Sequence, residues 1–212
     1  MSTGRAEAFS DGVFAVAITV LVFGLLPIGA GKLDASVLLG AWTEYFAYVV
    51  SFLIIGIMWM NHHTILAHVK RVDRPLLVLN LLLLMGIVAI PFPTALVSEH
   101  LDKAGASVAT VTYGLVMIAI SAGFAAMWVY VVTHASSLGG AVPQGALRQS
   151  IPGFTLGGAF YVVATLIAAF WSPVAALIIY GLLGVYYLFE HLPGPAGEPT
   201  PEEPARGEPG TG

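Results

Sequence analysis

The chain has no cysteine, which excludes disulfide staples and thiolate metal centres and leaves the redox compartment open. Charge is scarce as well: Asp, Glu, Lys and Arg together make up only 9% of 212 residues. A soluble domain could not keep the remaining apolar surface away from water. The basic residues are spread over loops and the net charge is -4, so the chain offers no patch for a phosphate backbone and nucleic-acid binding is set aside.

Hydrophobic residues account for 58% of the chain, and they fall in runs of bilayer length. A helix needs roughly 20 apolar residues to cross about 30 Å of hydrocarbon. Residues 12–31, the stretch between Glu44 and His62, residues 75–98 and residues 104–133 each qualify. The later run "IPGFTLGGAFYVVATLIAAFWSPVAALIIYGLLGVYYLFEHL" is too long for one crossing. Ser172-Pro173 is the natural turn within it, because Pro starts helices well and continues them badly. The expected fold is therefore an all-α integral membrane protein with six transmembrane helices per subunit over residues 1–192. Residues 193–212, "PGPAGEPTPEEPARGEPGTG", have almost nothing apolar to bury and form an expected disordered Pro/Gly/Glu-rich cytoplasmic tail.

Lysine and arginine accumulate in cytoplasmic loops. With six spans, Arg5, Lys70, Arg71, Arg74, Arg148 and Arg206 share one side and only Lys32 and Lys103 the other, which puts both termini in the cytoplasm. A cleaved signal peptide fits the first run poorly, since Asp11 interrupts its start and no A-x-A site follows.

The stretch "FSDGVFAVAITVLVF", residues 9–23, sets an acid at the threshold of the first apolar helix. At 100° per residue, Val16, Thr19, Val20 and Phe23 lie within about 100° of one another, and Asp11 points about 140° away from Val16. Two jobs separate. Asp11 and Ser10 read as structural, because a carboxylate at the hydrocarbon edge needs partners inside the bundle. The second helix runs back to the same depth at "MWMNHHTILAH", offering Trp59, Asn61, His62 and His63, and Asn80 early in the third helix is a further candidate. Arg5 is six residues before Asp11, badly spaced for a same-face pair, and is assigned to another helix or subunit. The stripe has two readings. Its apolar members are core or lipid-facing and Thr19 bonds to its own helix; or, in an oligomer, apolar rings control the wetting of a narrow pore and threonine hydroxyls offer oxygen to a dehydrating cation.

Arg5, Phe9, Ser10 and Asp11 form R-x-x-x-F-S-D, and with the following "GVFAVAITVLV" this resembles the first helix of the bacterial relatives of transmembrane protein 175, the endolysosomal potassium channel. "WMNHH" and "LNLLLLMGIVAIPFPTAL" are similar to the family too, as is the six-span layout; the later helices are generic apolar sequence. The resemblance implies a potassium-permeable channel, not an enzyme, with potassium as permeant ion, no cofactor and no metal. It implies a pore lined by the first helix of each subunit and braced by the F-S-D residues. Val16 takes the place of the bulky apolar constriction, Thr19 the selectivity layer one turn along, and Val20 and Phe23 continue the lining. Val16 is smaller than the isoleucine or leucine of the family pattern, so that ring is wider or the narrowest point moves to Phe23. Animal members resemble a duplicated unit working as a dimer; the single motif here implies a homotetramer in the lipid bilayer of the cell membrane. No T-V-G-Y-G segment is present, so the implied preference over sodium is modest.

Two rival classes carry less. A secondary transporter built as an inverted repeat would need a counterpart of F-S-D in helices 4 to 6 and an acid deep in a span. A metalloenzyme would use His62, His63, His68, His134 and His191, whose spacing matches no ligand signature. Trp42, Tyr45, Trp59, Trp128 and Trp171 read either as headgroup anchors or as packing residues, and Gly157-Gly158 permits close helix contact.

Overall fold

The computed structural model describes residues 2–28, 31, 34–139 and 144–188, with the side chains of 144–150 and 152–155 outside that description. Among the described residues it is helical throughout. Helix α1 (Thr3–Leu21) tightens into a 3₁₀ turn over Val22–Leu25. There follow a short α2 (Ala35–Gly40), α3 (Trp42–Ala67), α4 (Arg74–Val88), α5 (Pro91–His100), α6 (Ala106–Thr133), α7 (Gln144–Phe170) and α8 (Pro173–Leu188). The expected tail, Lys32, His191 and Arg206 lie outside the described residues, as does the Arg148 side chain.

Among the described residues four helical stretches are long and apolar enough to cross a membrane: Thr3–Leu25, Trp42–Ala67, Arg74–His100 and Ala106–Thr133. Leu156–Phe170 and Pro173–Leu188 are apolar but shorter. From its start at Pro173, the described part of α8 covers 16 residues, about 24 Å at 1.5 Å per residue. Among the described residues four of the six expected crossings are thus matched in both length and apolarity, and α7 as a whole runs 27 residues.

The third expected span is also interrupted. Pro91 has no N–H to give and its ring crowds the carbonyl one turn earlier, so α4 stops at Val88 and α5 begins at Pro91. Ala89 and Ile90 bridge the break with tighter bonds to Gly86 and Ile87. At its other end α4 opens on Asp73, whose carboxylate accepts from Leu76 N–H at 3.1 Å, with Pro75 in the first turn.

Helix α6 is the hub, packed against α4, α5, α7 and α8. Its crossing with α4 depends on two glycines: a Cβ on Gly86 would press on Ile120, and one on Gly123 would press on Leu83. Gly157 makes room for the Tyr187 hydroxyl, and Gly158 lies against Ser121. Trp128 is wholly buried with its ring edge-on to His68, so of its two readings the structure selects packing. Trp42 and Trp171 are exposed.

Helix α1 packs on α3 and α4. Its buried residues are Ala6, Ser10, Phe14, Ala17 and Leu21, a face repeating every three or four positions.

Candidate functional site

Only one polar side chain on α1's buried face is enclosed, and it is matched. Ser10 Oγ donates to Ala6 O at 2.9 Å and accepts from Asn80 Nδ2 at 3.0 Å. Asn80 Oδ1 in turn lies 2.7 Å from His62 Nε2, and the His62 ring rests tilted on Phe14 at 5.4 Å. One ladder, Ser10–Asn80–His62, therefore ties α1 to α4 and α3 with all three side chains buried. Buried polar groups stay enclosed only when paired in this way.

Asp11 belongs to a separate contact. Although Ser10 and Asp11 are neighbours in the chain, they sit about 100° apart on the helix, and Asp11 is exposed. Its Oδ1 accepts from Trp59 Nε1 at 2.8 Å. One turn earlier Glu7 Oε1 lies 3.8 Å from His63 Nδ1, a residue missed in the sequence although its i, i+4 spacing to Asp11 puts both acids beside α3. Asn61 turns elsewhere: its Nδ2 donates to Ile57 O and to Tyr187 O, 3.0 Å each, joining α3 to α8.

Phe9, expected to brace the helix, is 54% exposed, and the exposed Arg5 guanidinium, expected to reach another helix or subunit, has no partner among the described residues. The reason is periodicity: Arg5, Phe9, Val16 and Phe23 fall within about 40° on the helical wheel. They share the stripe opposite the ladder.

That stripe is open. Val16 is 57% exposed and Phe23 58%; Thr19 is exposed and Val20 half-buried. Thr19 Oγ1 donates to Ala15 O at 2.7 Å, which uses its only proton and leaves the oxygen lone pairs facing outward. Above it, Val20 and Phe23 border a cavity of about 840 Å³ reached also by Phe92 and by two further residues missed in the sequence, Glu44 and Glu99.

Among the described residues no three His, Asp or Glu side chains gather into a metal site. His68 Nδ1 is bonded to Thr64 O, and the His134 ring is stacked on Tyr130.

A potassium channel of Streptomyces collinus is 45% identical over 199 residues, covering 92% of this chain and 96% of that protein. A family model described as endosomal/lysosomal potassium channel TMEM175 matches residues 5–91, a stretch running from Arg5 to Pro91 and holding the ladder, the Asp11–Trp59 contact and the stripe. The chain belongs to the TMEM175 family. A potassium channel of Chamaesiphon minutus is 36% identical over 196 residues, 87% of this chain and 93% of its own. The crystal structure of a lysosomal potassium-selective channel TMEM175 homolog from the same organism superposes with a TM-score of 0.75 at 35% identity, over 87% of this chain and 95% of that one. Members of the family thus resemble this chain beyond the matched segment, through α6, α7 and α8.

Proposed function

We propose that the chain is one subunit of a potassium-permeable channel, a homotetramer in which α1 of each copy lines a central pore. The observation that carries this reading is the open stripe Val16–Thr19–Val20–Phe23 on the side of α1 opposite its braced face. A helix fixed to its own subunit along one face and bare along the other is suited to line a space shared between copies. Family relatives named potassium channels support the ion.

In this reading Val16 forms an apolar ring that resists wetting, and Thr19, with its proton held by Ala15, presents oxygen to a cation shedding water. Val20 and Phe23 continue the lining toward a mouth where Glu44 and Glu99 add negative charge, which suits a cation path. Selectivity for potassium over sodium is modest, since no carbonyl filter sequence is present. Helices α7 and α8 complete six crossings with both termini in the cytoplasm, residues 193–212 form the cytoplasmic tail, and the bacterial sources of the relatives favour the cell membrane. The test is cation flux from liposomes holding the purified chain: rapid, non-saturating flux favouring potassium is expected, and saturable exchange with counterflow overturns the channel.

A further inference from the structure

At the end of the molecule where α1 begins, the loop between α3 and α4 carries Lys70, Arg71 and Arg74, all exposed. The loop is held rigidly. Its Lys70 and Arg71 N–H groups both donate to Leu138 O, at 3.0 and 3.3 Å. Arg71 Nε donates to Ser137 O at 2.8 Å, which holds one edge of the exposed guanidinium. Thr3 Oγ1 donates to Val69 O, and Ser2 pairs with Arg71 across an isolated bridge. The one acid in the loop, Asp73, accepts from Tyr130 Oη–H at 2.6 Å and from Leu76 N–H and forms no ion pair with the three cations among the described residues, so the loop keeps a net positive charge.

Directly below Arg74, one face of α4 is apolar and bare. Val78, Leu81, Leu82 and Met85 follow Arg74 at helical spacing and are all more than half exposed. Fixed cations at the end of a membrane-length helix, continued by an exposed apolar stripe, match an amphiphile with an anionic head. We propose that Lys70, Arg71 and Arg74 bind the phosphate of an anionic phospholipid whose acyl chain lies along the Val78–Met85 face of α4. The cations supply charge and N–H donors to phosphate oxygens, and the stripe shelters the tail. The inference does not depend on conduction.

The full chain, purified in detergent, is to be offered phosphatidylglycerol or phosphatidylcholine and the retained lipid counted by native mass spectrometry. Wild type retains phosphatidylglycerol in preference, and each cation removed costs about fivefold in that preference. The triple variant Lys70→Gln/Arg71→Gln/Arg74→Gln therefore loses it, whereas Lys103→Gln at the other end keeps it. Arg74→Gln alone, which leaves the Arg71–Ser137 bond intact, serves if the triple variant does not fold. Equal retention of the two lipids, or equal loss in Lys103→Gln, overturns the proposal. Displacement of the lipid by inorganic phosphate would assign the cations to a free anion and overturns it as well. A second copy could instead cover α4. Because the chain has no cysteine, Val78→Cys tests this directly: a disulfide-linked dimer within the assembled protein makes the face a subunit contact and removes the lipid from it.

Discussion

The two faces of α1 solve opposite problems with the same few residue types. On the inner face a single hydroxyl, Ser10, is enclosed and fully matched through Asn80 to His62. On the outer face a single hydroxyl, Thr19, is exposed and bonded only to its own helix. The first hydroxyl specifies where the helix stands relative to α3 and α4; the second contributes nothing to that placement and remains chemically available. Polarity inside a membrane bundle is thus read from where its bonds go, and the comparison makes quantitative demands on variants.

The largest effect belongs to the inner face. Asn80→Leu takes the middle rung from the ladder and strands a His62 ring nitrogen that is only 2% exposed as a residue. Leaving one buried polar group unpaired costs about 2 kcal/mol. The melting temperature and yield of assembled protein should fall accordingly, while the potassium-to-sodium preference of what does assemble stays that of wild type. Normal stability with altered preference would place the ladder in the conduction path and erase the distinction between the faces.

Next comes the contact at the helix edge. Trp59→Phe removes the donor to Asp11, and Asp11→Asn keeps an acceptor but loses its charge. Each is expected to cost about 1 kcal/mol, less than a fully buried pair because Asp11 is exposed. The double variant should cost no more than the larger single one, since both act on one bond. Additive losses in thermal denaturation would mean that each residue serves a different contact.

These residues also show how much was legible. The stripe and its separation from Asp11 follow from 100° per residue, and the depth argument brought Trp59 and Asn80 within reach of the motif. The same 100° step also separates Ser10 from Asp11 and turns Arg5 and Phe9 to the open face, a divergence the motif conceals because a motif is written along the chain whereas contacts are made around the helix; which partners each residue meets needed the structure. The fold divided in the same way. Apolar runs disclosed the membrane helices, but the break at Pro91 was signalled only by the local P-F-P triplet, and the short α2 only by Asp34 as its cap. Glu44 and Glu99 were invisible as a pair, since 55 positions of chain separate residues that border one cavity.

A smaller effect tests a bond remote from either face. Burial pushes the Asp73 carboxyl up, but the bonds from the Tyr130 hydroxyl and Leu76 N–H outweigh it and hold it below its ordinary 3.8. A depressed carboxyl stabilises the fold fully above the unfolded value and loses that contribution as pH falls through the folded one. Melting curves taken from about pH 6 down to about pH 3 should therefore lose stability only at the acid end. Asp73→Ala should be less stable at neutral pH and should lack that acid-end loss, with the α1 ladder unaffected.

The smallest stability change is expected on the outer face, where it is most informative. Thr19→Ala deletes a hydroxyl bonded to its own helix and Val16→Ala trims a side chain that is more than half exposed. Neither removes a contact to another helix, so each should stay within about 0.5 kcal/mol of wild type. If the proposed pore holds, their effects appear instead in liposome flux: a lower potassium preference in Thr19→Ala, which loses the oxygen proposed to replace water, and a higher conductance in Val16→Ala, whose smaller proposed ring wets more readily. Unchanged flux in both, with stability intact, would leave the stripe as a lipid-facing surface. A loss of stability in either would mean that the outer face holds the assembly together as the inner face holds the subunit.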